Sequence, residues 1–300
     1  MPKDKQTNMI TIGSLSRQTG IPINTIRTWE RRYGFPSAVR TPSGHRLYTH
    51  ECSQHLQLIS IAVQHGYRAS LLVKMTRDEI RDLLSPSGVS SLVNSRHLDR
   101  WLNAARCLDE NTIRDMLNRF ESQHGLMTFC SDIAPLLICH IEQAWLRKDI
   151  QIHHEHFVSE NVRDFLSRKW REIAKTNTGP TVLATTLPND KHNLGLILGV
   201  TIMVGIGYKI TMLGDDTPIH SIVQAVSQQH PEVLLLSYSL HKHEASLLSD
   251  LQQIREKIPD EIKIFVGGPP NSIQVPNLET FNSFSGFKSF VERIYADTVG

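Results

Sequence analysis

At 300 residues the chain is long enough for two or three domains, and its 40% hydrophobic and 21% charged content excludes a disordered or fibrous protein. Four scattered cysteines form no Cys-x-x-Cys pair, which argues against a zinc site and for reduced thiols. The first residues lead to no long apolar stretch and the longest apolar run, Leu194 to Gly207, is too short for a bilayer, so a cytoplasmic protein without membrane attachment is expected. The net charge of +2 hides an asymmetry. Residues 1–75 carry +7 and the remainder −5, a basic head on an acidic body, so the head is the part expected to meet a polyanion.

Taken in chain order, Thr11 to Gly20 reads as a short helix with Ile12, Leu15 and Thr19 facing inward and Gly20 ending it. Ile21-Pro-Ile-Asn24 turns the chain, and Asn24 or its predecessor caps a second helix, Thr25 to Tyr33, ended by Gly34. Two helices joined by a glycine-containing turn are the helix-turn-helix plan, whose second helix enters the major groove. Val39 to Tyr48 reads as a hairpin wing turning at Pro42-Ser-Gly44. Further helices are expected over Glu51 to His65 and Arg68 to Leu84.

Three stretches carry a family resemblance: Ile12-Gly-x-Leu-Ser-x-x-Thr-Gly20, Thr25-Ile-Arg-x-Trp-Glu-Arg-Arg-Tyr-Gly34, and Gly44-His-Arg-x-Tyr48. They are similar to the MerR family of winged-helix transcription regulators. The resemblance implies that Arg27, Tyr33, Arg40, Arg46 and Tyr48 contact double-stranded operator DNA, with Arg17 and Thr25 beside them. It also implies dimeric binding to pseudo-palindromes. The long dimerisation coil and cysteine-bearing loop of that family are missing, so metal sensing is not expected. Instead residues 85–95 read as a linker, which makes 1–84 the head.

Residues 96–176 show helical periodicity. Leu98, Leu102, Ala105 and Leu108 form one stripe, and Ile113, Met116, Leu117 and Phe120 another. With Ile133 to Trp145 and Phe157 to Ile173 they make a four-helix bundle. Trp145 is followed, after nine intervening residues, by Glu155-His156. From the bundle alone, Trp145 is a core aromatic and the histidines are surface residues.

Residues 177–300 alternate strand and helix, as a flavodoxin-like, doubly wound parallel sheet requires. Strands are expected at Thr181–Leu187, Tyr208–Leu213, Leu234–Leu240 and Ile262–Val266. After the first lies Asp190-x-His192-x-x-Gly195, an imidazole on a loop at the C-terminal end of a strand. A carboxylate behind a histidine fixes the tautomer of a metal-ligating imidazole and raises its basicity. Gly195 leaves room for a bulky group against the backbone where the next helix begins. Ser237 and Ser239 close the third strand, and Gly267-Gly268 the fourth. All of these fall at strand C-termini, where open α/β sheets bind ligands. Asp215-Asp216 and His241-Lys-His243 read as polar loops.

Asp190-x-His192-x-x-Gly195, Ser237-x-Ser239 and Gly267-Gly268, so spaced, resemble the cobalamin-binding domains of methionine synthase and its relatives. In that family the histidine is the lower axial cobalt ligand, and the displaced nucleotide tail lies beside the serine and glycines. Ser239 departs mildly from the Leu or Thr usual there. Together with the head and the bundle, the chain resembles light-responsive regulators of the CarH, CarA and LitR type, which share the Trp-x9-Glu-His pattern of Trp145, Glu155 and His156. There those residues cover the upper face of adenosylcobalamin, or of methylcobalamin in second place. The resemblance implies a multidomain α and α/β protein that represses transcription in the dark as a dimer or tetramer and is not an enzyme. Leu146 stands where such regulators often carry a second cobalt-ligating histidine. The alternatives are a corrinoid carrier for methyl transfer, a cobalamin sensor that ignores light, and a regulator whose sheet no longer holds cobalamin and only mediates protein contacts.

Overall fold

In the computed structural model Thr11 ends a short strand, β1 (Met9–Thr11), and caps the first helix, α1 (Ile12–Thr19), by accepting the Ser14 N–H at 3.3 Å. The structure describes residues 9–41, 44, 46–64, 72–73, 75–77, 80, 92–146, 148–238, 244–268, 275–281 and 283–299. They belong to two compact units, Met1–Ser91 and Leu92–Gly300.

In the first unit α1 is followed by α2 (Ile23–Tyr33), β2 (Val39–Arg40), β3 (Arg46–Thr49) and α3 (His50–Gln64). Gly20 and Gly34 end the two helices at φ 71° and 70°, a left-handed conformation that glycine adopts without strain. The second helix starts at Ile23 behind Pro22, whose ring pre-sets the backbone, and not behind an Asn24 cap. The strands form an antiparallel sheet in the order β1-β3-β2, with Arg40 opposite Arg46 in the wing. Leu15, Ile26, Tyr48, Leu56, Ile59, Leu72 and Ile80 are fully buried between them. Most of the expected helix from Arg68 to Leu84, the turn residues Pro42 and Ser43, and His45 lie outside the described residues.

The second unit opens with a bundle: α4 (Ser95–Arg106), α5 (Glu110–His124), α6 (Ala134–Leu146) and α7 (Ile152–Ala174). A short helical stretch, Leu126–Thr128, and a π turn, Phe129–Ile133, lead into α6. Three sequence expectations are corrected here. Leu108 leaves the core stripe: it lies past the end of α4 at φ 52°, 48% exposed, and Trp101 and Ala104 fill the interior instead. Residues 92–94, read as linker, belong to the bundle, since Val93 is buried in its core and Asn94 caps α4 through the His97 N–H at 3.0 Å. Helix α7 also begins five residues before Phe157, because His154 Nδ1 accepts the Gln151 N–H at 2.9 Å and closes a capping box.

Beyond the bundle come β4 (Thr181–Thr186), α8 (Leu194–Ile206), β5 (Lys209–Gly214), α9 (Ile219–Gln229), β6 (Val233–Ser237), α10 (Glu244–Lys257), β7 (Lys263–Gly267), β8 (Leu278–Phe281) and α11 (Phe284–Val299). All five strands are parallel, in the order β5-β4-β6-β7-β8. The fifth strand, β8, has no counterpart in the sequence reading. Alternation sorts side chains between the faces: Val182, Ala184 and Leu235 point to one core, Leu183, Leu234 and Leu236 to the other. Helix α8 is apolar on every face because it is covered twice, by the sheet on one side and α7 on the other. Each fully buried Leu, Ile or Val contributes roughly 1.5–3 kcal/mol. A single core therefore runs from Trp101 in the bundle to Phe265 in the sheet.

Candidate functional site

The β4–α8 loop is built around a buried carboxylate. Asp190 is 1% exposed, and its Oδ1 accepts the backbone N–H of His192 at 3.0 Å while lying 3.5 Å from Nδ1 of the His192 ring. The imidazole itself is 67% exposed. The carboxylate is thus spent on orienting its neighbour, and the ring is presented to whatever lies beyond the strand ends.

Two residues that sequence reasoning missed hold this loop in shape. The Thr186 hydroxyl donates to the Asp190 carbonyl at 2.6 Å and accepts the Asp216 N–H at 2.8 Å. Asp216, read from sequence as a solvated acid, accepts the Asn189 N–H through Oδ1 at 2.6 Å, and its own N–H also reaches the Asp190 carbonyl at 3.1 Å. Next to them Thr185 donates to the Thr217 hydroxyl at 2.7 Å. Paired threonines at one strand end and paired aspartates at the end of its neighbour were the available signal.

Beside the loop lies a slot of about 140 Å³. Gly195, Ser237, Gly267 and Gly268 line it, facing Phe281, Phe284 and Phe287. The fold thus brings four of the predicted residues to one place. An added Cβ at Gly195 would stand 3.4 Å from Ser237 Oγ, and one at Gly268, where φ is +94°, would collide with the Tyr238 carbonyl. Bare backbone on one side and phenyl rings on the other make a cleft suited to a flat ring. Ser239 and His241–His243 lie outside the described residues.

The bundle residues stand on α6 and α7 of the same unit. Trp145 is partly buried and packs against the shared core. Glu155 Oε1 accepts the Ser159 hydroxyl at 2.6 Å, and its other oxygen is 3.7 Å from His156 Nε2 on a ring that is 70% exposed. The rings of His153 and His154 lie 3.9 Å apart. Among the described residues no three His, Cys, Asp or Glu side chains form a metal cluster. His192, an exposed imidazole with the Asp190 carboxylate behind it, is a single donor of the kind that a metal already held in a corrin ring would need from the protein.

In the first unit Arg17, Arg27, Arg31, Arg32 and Arg40 are exposed, and Thr25 and Tyr33 are partly so. Arg17 donates to Ser14 Oγ at 3.2 Å, and the Arg32 guanidinium lies 5.9 Å from the Tyr33 ring. Arg46 Nε donates to Glu30 Oε2 at 2.9 Å, tying the wing to α2. Tyr48 corrects its sequence assignment. It is fully buried, and its hydroxyl has no hydrogen-bond partner among the described residues, so it is a core residue of the head and presents nothing to DNA. The alternation of β3 turns it inward.

Residues 10–84 match the MerR HTH family regulatory protein model. Over 256 residues the chain is 27% identical to the HTH-type transcriptional repressor CarH of Myxococcus xanthus, covering 83% of this chain and 85% of that protein. It is also 27% identical over 233 residues to the repressor CarA of the same organism, covering 76% of each. The fold resembles the monomethylamine corrinoid protein of Methanosarcina barkeri, with a TM-score of 0.54, 14% identity and coverage of 67% of this chain and all of that one. Among the described residues no helix is long and apolar enough to cross a membrane.

Proposed function

We propose that the chain is a cobalamin-binding transcriptional repressor, with a MerR-type head that binds operator DNA and a body that holds the cofactor between bundle and sheet. The observation that carries this reading is the buried Asp190 behind the exposed His192, set beside the glycine-floored slot, in a chain whose head matches a DNA-binding family. His192 would hold cobalt from below through Nε2, with Asp190 fixing the ring. The slot would take the nucleotide tail. Trp145, Glu155 and His156 would cover the upper face.

When bound, an alkylcobalamin supplies a cobalt–carbon bond that visible light breaks. Adenosylcobalamin is the form proposed, ahead of methylcobalamin. The work of the chain is to convert cover over the upper face into the setting of the bundle. In the dark the closed body favours a dimer or tetramer whose several heads engage one operator, gaining affinity from effective concentration. Loss of the upper group would uncover Trp145 on that side and release the DNA-competent assembly. The division into head 1–84, linker, bundle and sheet from 177 follows these roles, and the protein acts in the cytoplasm as a regulator and not as an enzyme.

A second reading has its own support. Leu146 follows Trp145 and has no nitrogen for cobalt, so a stable photoproduct with a second imidazole at that position has no donor. That favours a cobalamin sensor indifferent to light. A methyl-transfer carrier shares the body but has no use for the head. The deciding experiment is the absorption spectrum of protein loaded with adenosylcobalamin in the dark, before and after green light, with operator gel shifts alongside. A light-dependent spectrum with loss of DNA binding supports the repressor as light sensor. Bound cobalamin with unchanged DNA affinity leaves the ligand sensor, and no bound cobalamin removes both.

A further inference from the structure

Bundle and slot meet at a point that this reading leaves unused. Phe129–Ile133 is a π turn in which the Ala134 N–H reaches back to the Phe129 carbonyl. Such turns are rare and concentrate at functional sites. This one packs against α5, α8 and α11 together. Its Asp132 accepts the Ser285 hydroxyl through Oδ1 at 2.9 Å, with the Ser131 carbonyl a second acceptor at 3.4 Å. The Ser131 hydroxyl donates to the other Asp132 oxygen. Close by, Met127 lies directly on Gly205 of α8, where an added Cβ would collide with its sulfur.

Ser285 follows Phe284, a wall of the slot. The Phe284 Cζ lies 4.0 Å from where a Cβ on Gly195 would stand. Consecutive residues of a helix point about 100° apart, so one turn can address the slot with one side chain and the bundle with the next. That turn is stiff: Ser283 accepts the Gly286 N–H on its hydroxyl at 3.2 Å and the Phe287 N–H on its carbonyl at 3.0 Å.

We propose that Ser285 and Asp132 are positioning residues that couple occupancy of the slot to the setting of α6, the helix carrying Trp145. The inference rests on the slot being the seat of a corrinoid's nucleotide base. A flat base needs about 3.5–4.0 Å to the carbon atoms on each of its faces, so entry between Gly195 and Phe284 displaces the phenyl ring. The stiff first turn of α11 moves with it. The Ser285–Asp132 hydrogen bond then delivers the movement to the π turn at the root of α6. The slot and the helix that carries Trp145 are thereby linked through protein, independently of any cobalt ligand.

The test is amide hydrogen exchange across residues 129–146 in the full-length protein, kept dark, with and without adenosylcobalamin. Coupling between sites is commonly worth about 5–150-fold, so the wild type should show exchange slowed about fivefold or more on binding. Ser285→Ala and Asp132→Ala should still bind, by the visible spectrum, yet slow by less than about twofold, while Ser285→Thr, which keeps the hydroxyl, behaves as wild type. Cobinamide, which lacks the nucleotide base, should leave this segment unprotected although His192 can hold it. Full protection in Ser285→Ala, or equal protection by cobinamide, overturns the coupling. So does loss of binding in both alanine variants, which would make the pair part of the seat itself. A wild type that binds adenosylcobalamin without protecting 129–146 also ends it and leaves the function standing. A wild type that binds none defeats the reading of the slot, a result the spectrum reports separately.

Discussion

Oδ1 of Asp190 accepts the His192 N–H at 3.0 Å and stands 3.5 Å from Nδ1 of the same residue, so one buried oxygen holds both the backbone and the ring of an otherwise exposed imidazole. The arrangement costs nothing in ring access and fixes which nitrogen is presented. It also separates two roles that mutagenesis can tell apart.

His192→Ala should abolish the spectral signature of histidine-ligated cobalamin and leave the thermal midpoint within a degree or two, roughly the effect of a surface substitution. Asp190→Asn keeps an acceptor for the N–H but loses the charge behind the ring. Its cobalamin affinity should fall by about 10–100-fold, as for other partners standing behind a metal-ligating histidine. Spectral titration measures both. Equal affinity in Asp190→Asn would remove the carboxylate from the site.

The glycines of the slot differ in what a methyl group does. At Gly268 the backbone is left-handed and the Tyr238 carbonyl occupies the space, so Gly268→Ala should cost about 1–3 kcal/mol or more of stability, read as the denaturation midpoint. At Gly195 the nearest atom is the Ser237 hydroxyl at ordinary contact distance. Gly195→Ala should fold normally and bind cobalamin less tightly, because it narrows the slot.

In the head, Tyr48→Phe should leave operator affinity unchanged and stability equal or higher by up to about 1 kcal/mol, since it deletes a buried hydroxyl with no partner among the described residues. Arg27→Ala should weaken operator binding and reduce the slope of log affinity against log salt by about 1, if it contacts phosphate. Gel shifts at several salt concentrations distinguish the two substitutions.

Burial lowers the pKa of His55, whose ring lies 4.7 Å from that of Phe35, and the nearby Arg77 lowers it further, against the raising effect of a hydrogen bond that the ring donates to the Met75 backbone. The unfolded chain protonates this histidine near pH 6.5 while the folded head resists it, so stability is fully present above pH 6.5 and declines as the pH falls below it. His55→Gln should flatten that decline. Thermal melts between pH 5 and 8 would show it, and an unchanged profile would assign the acid sensitivity elsewhere.

Much of this was legible from residue order. The helix ends at Gly20 and Gly34, the apolar run of α8, and Asp190, His192 and Gly195 are local signals, and local backbone preference decided them. Leu108 shows the limit: its place in a helical stripe was sound, but the helix ended at Arg106 before the stripe did. Tyr48 shows another, for a strand of four residues gives too short a pattern to say which face is the core. Strand β8 was missed because an edge strand with two exposed positions carries no clean alternation.

The sequence by itself determined the kind of parts present: a basic helix-turn-helix head, a helical bundle, and a parallel sheet with a histidine loop, each specified by periodicity and by turn residues within about ten positions. Only the tertiary structure decided how the site is closed. Thr186 and Asp216 meet because parallel pairing sets the end of β4 beside that of β5. Phe284 faces Gly195, and Ser285 reaches Asp132, because α11 returns across the sheet to the bundle from the far end of the chain. Contacts between residues so distant are chosen by how two apolar faces pack, and no local pattern in the chain records that choice.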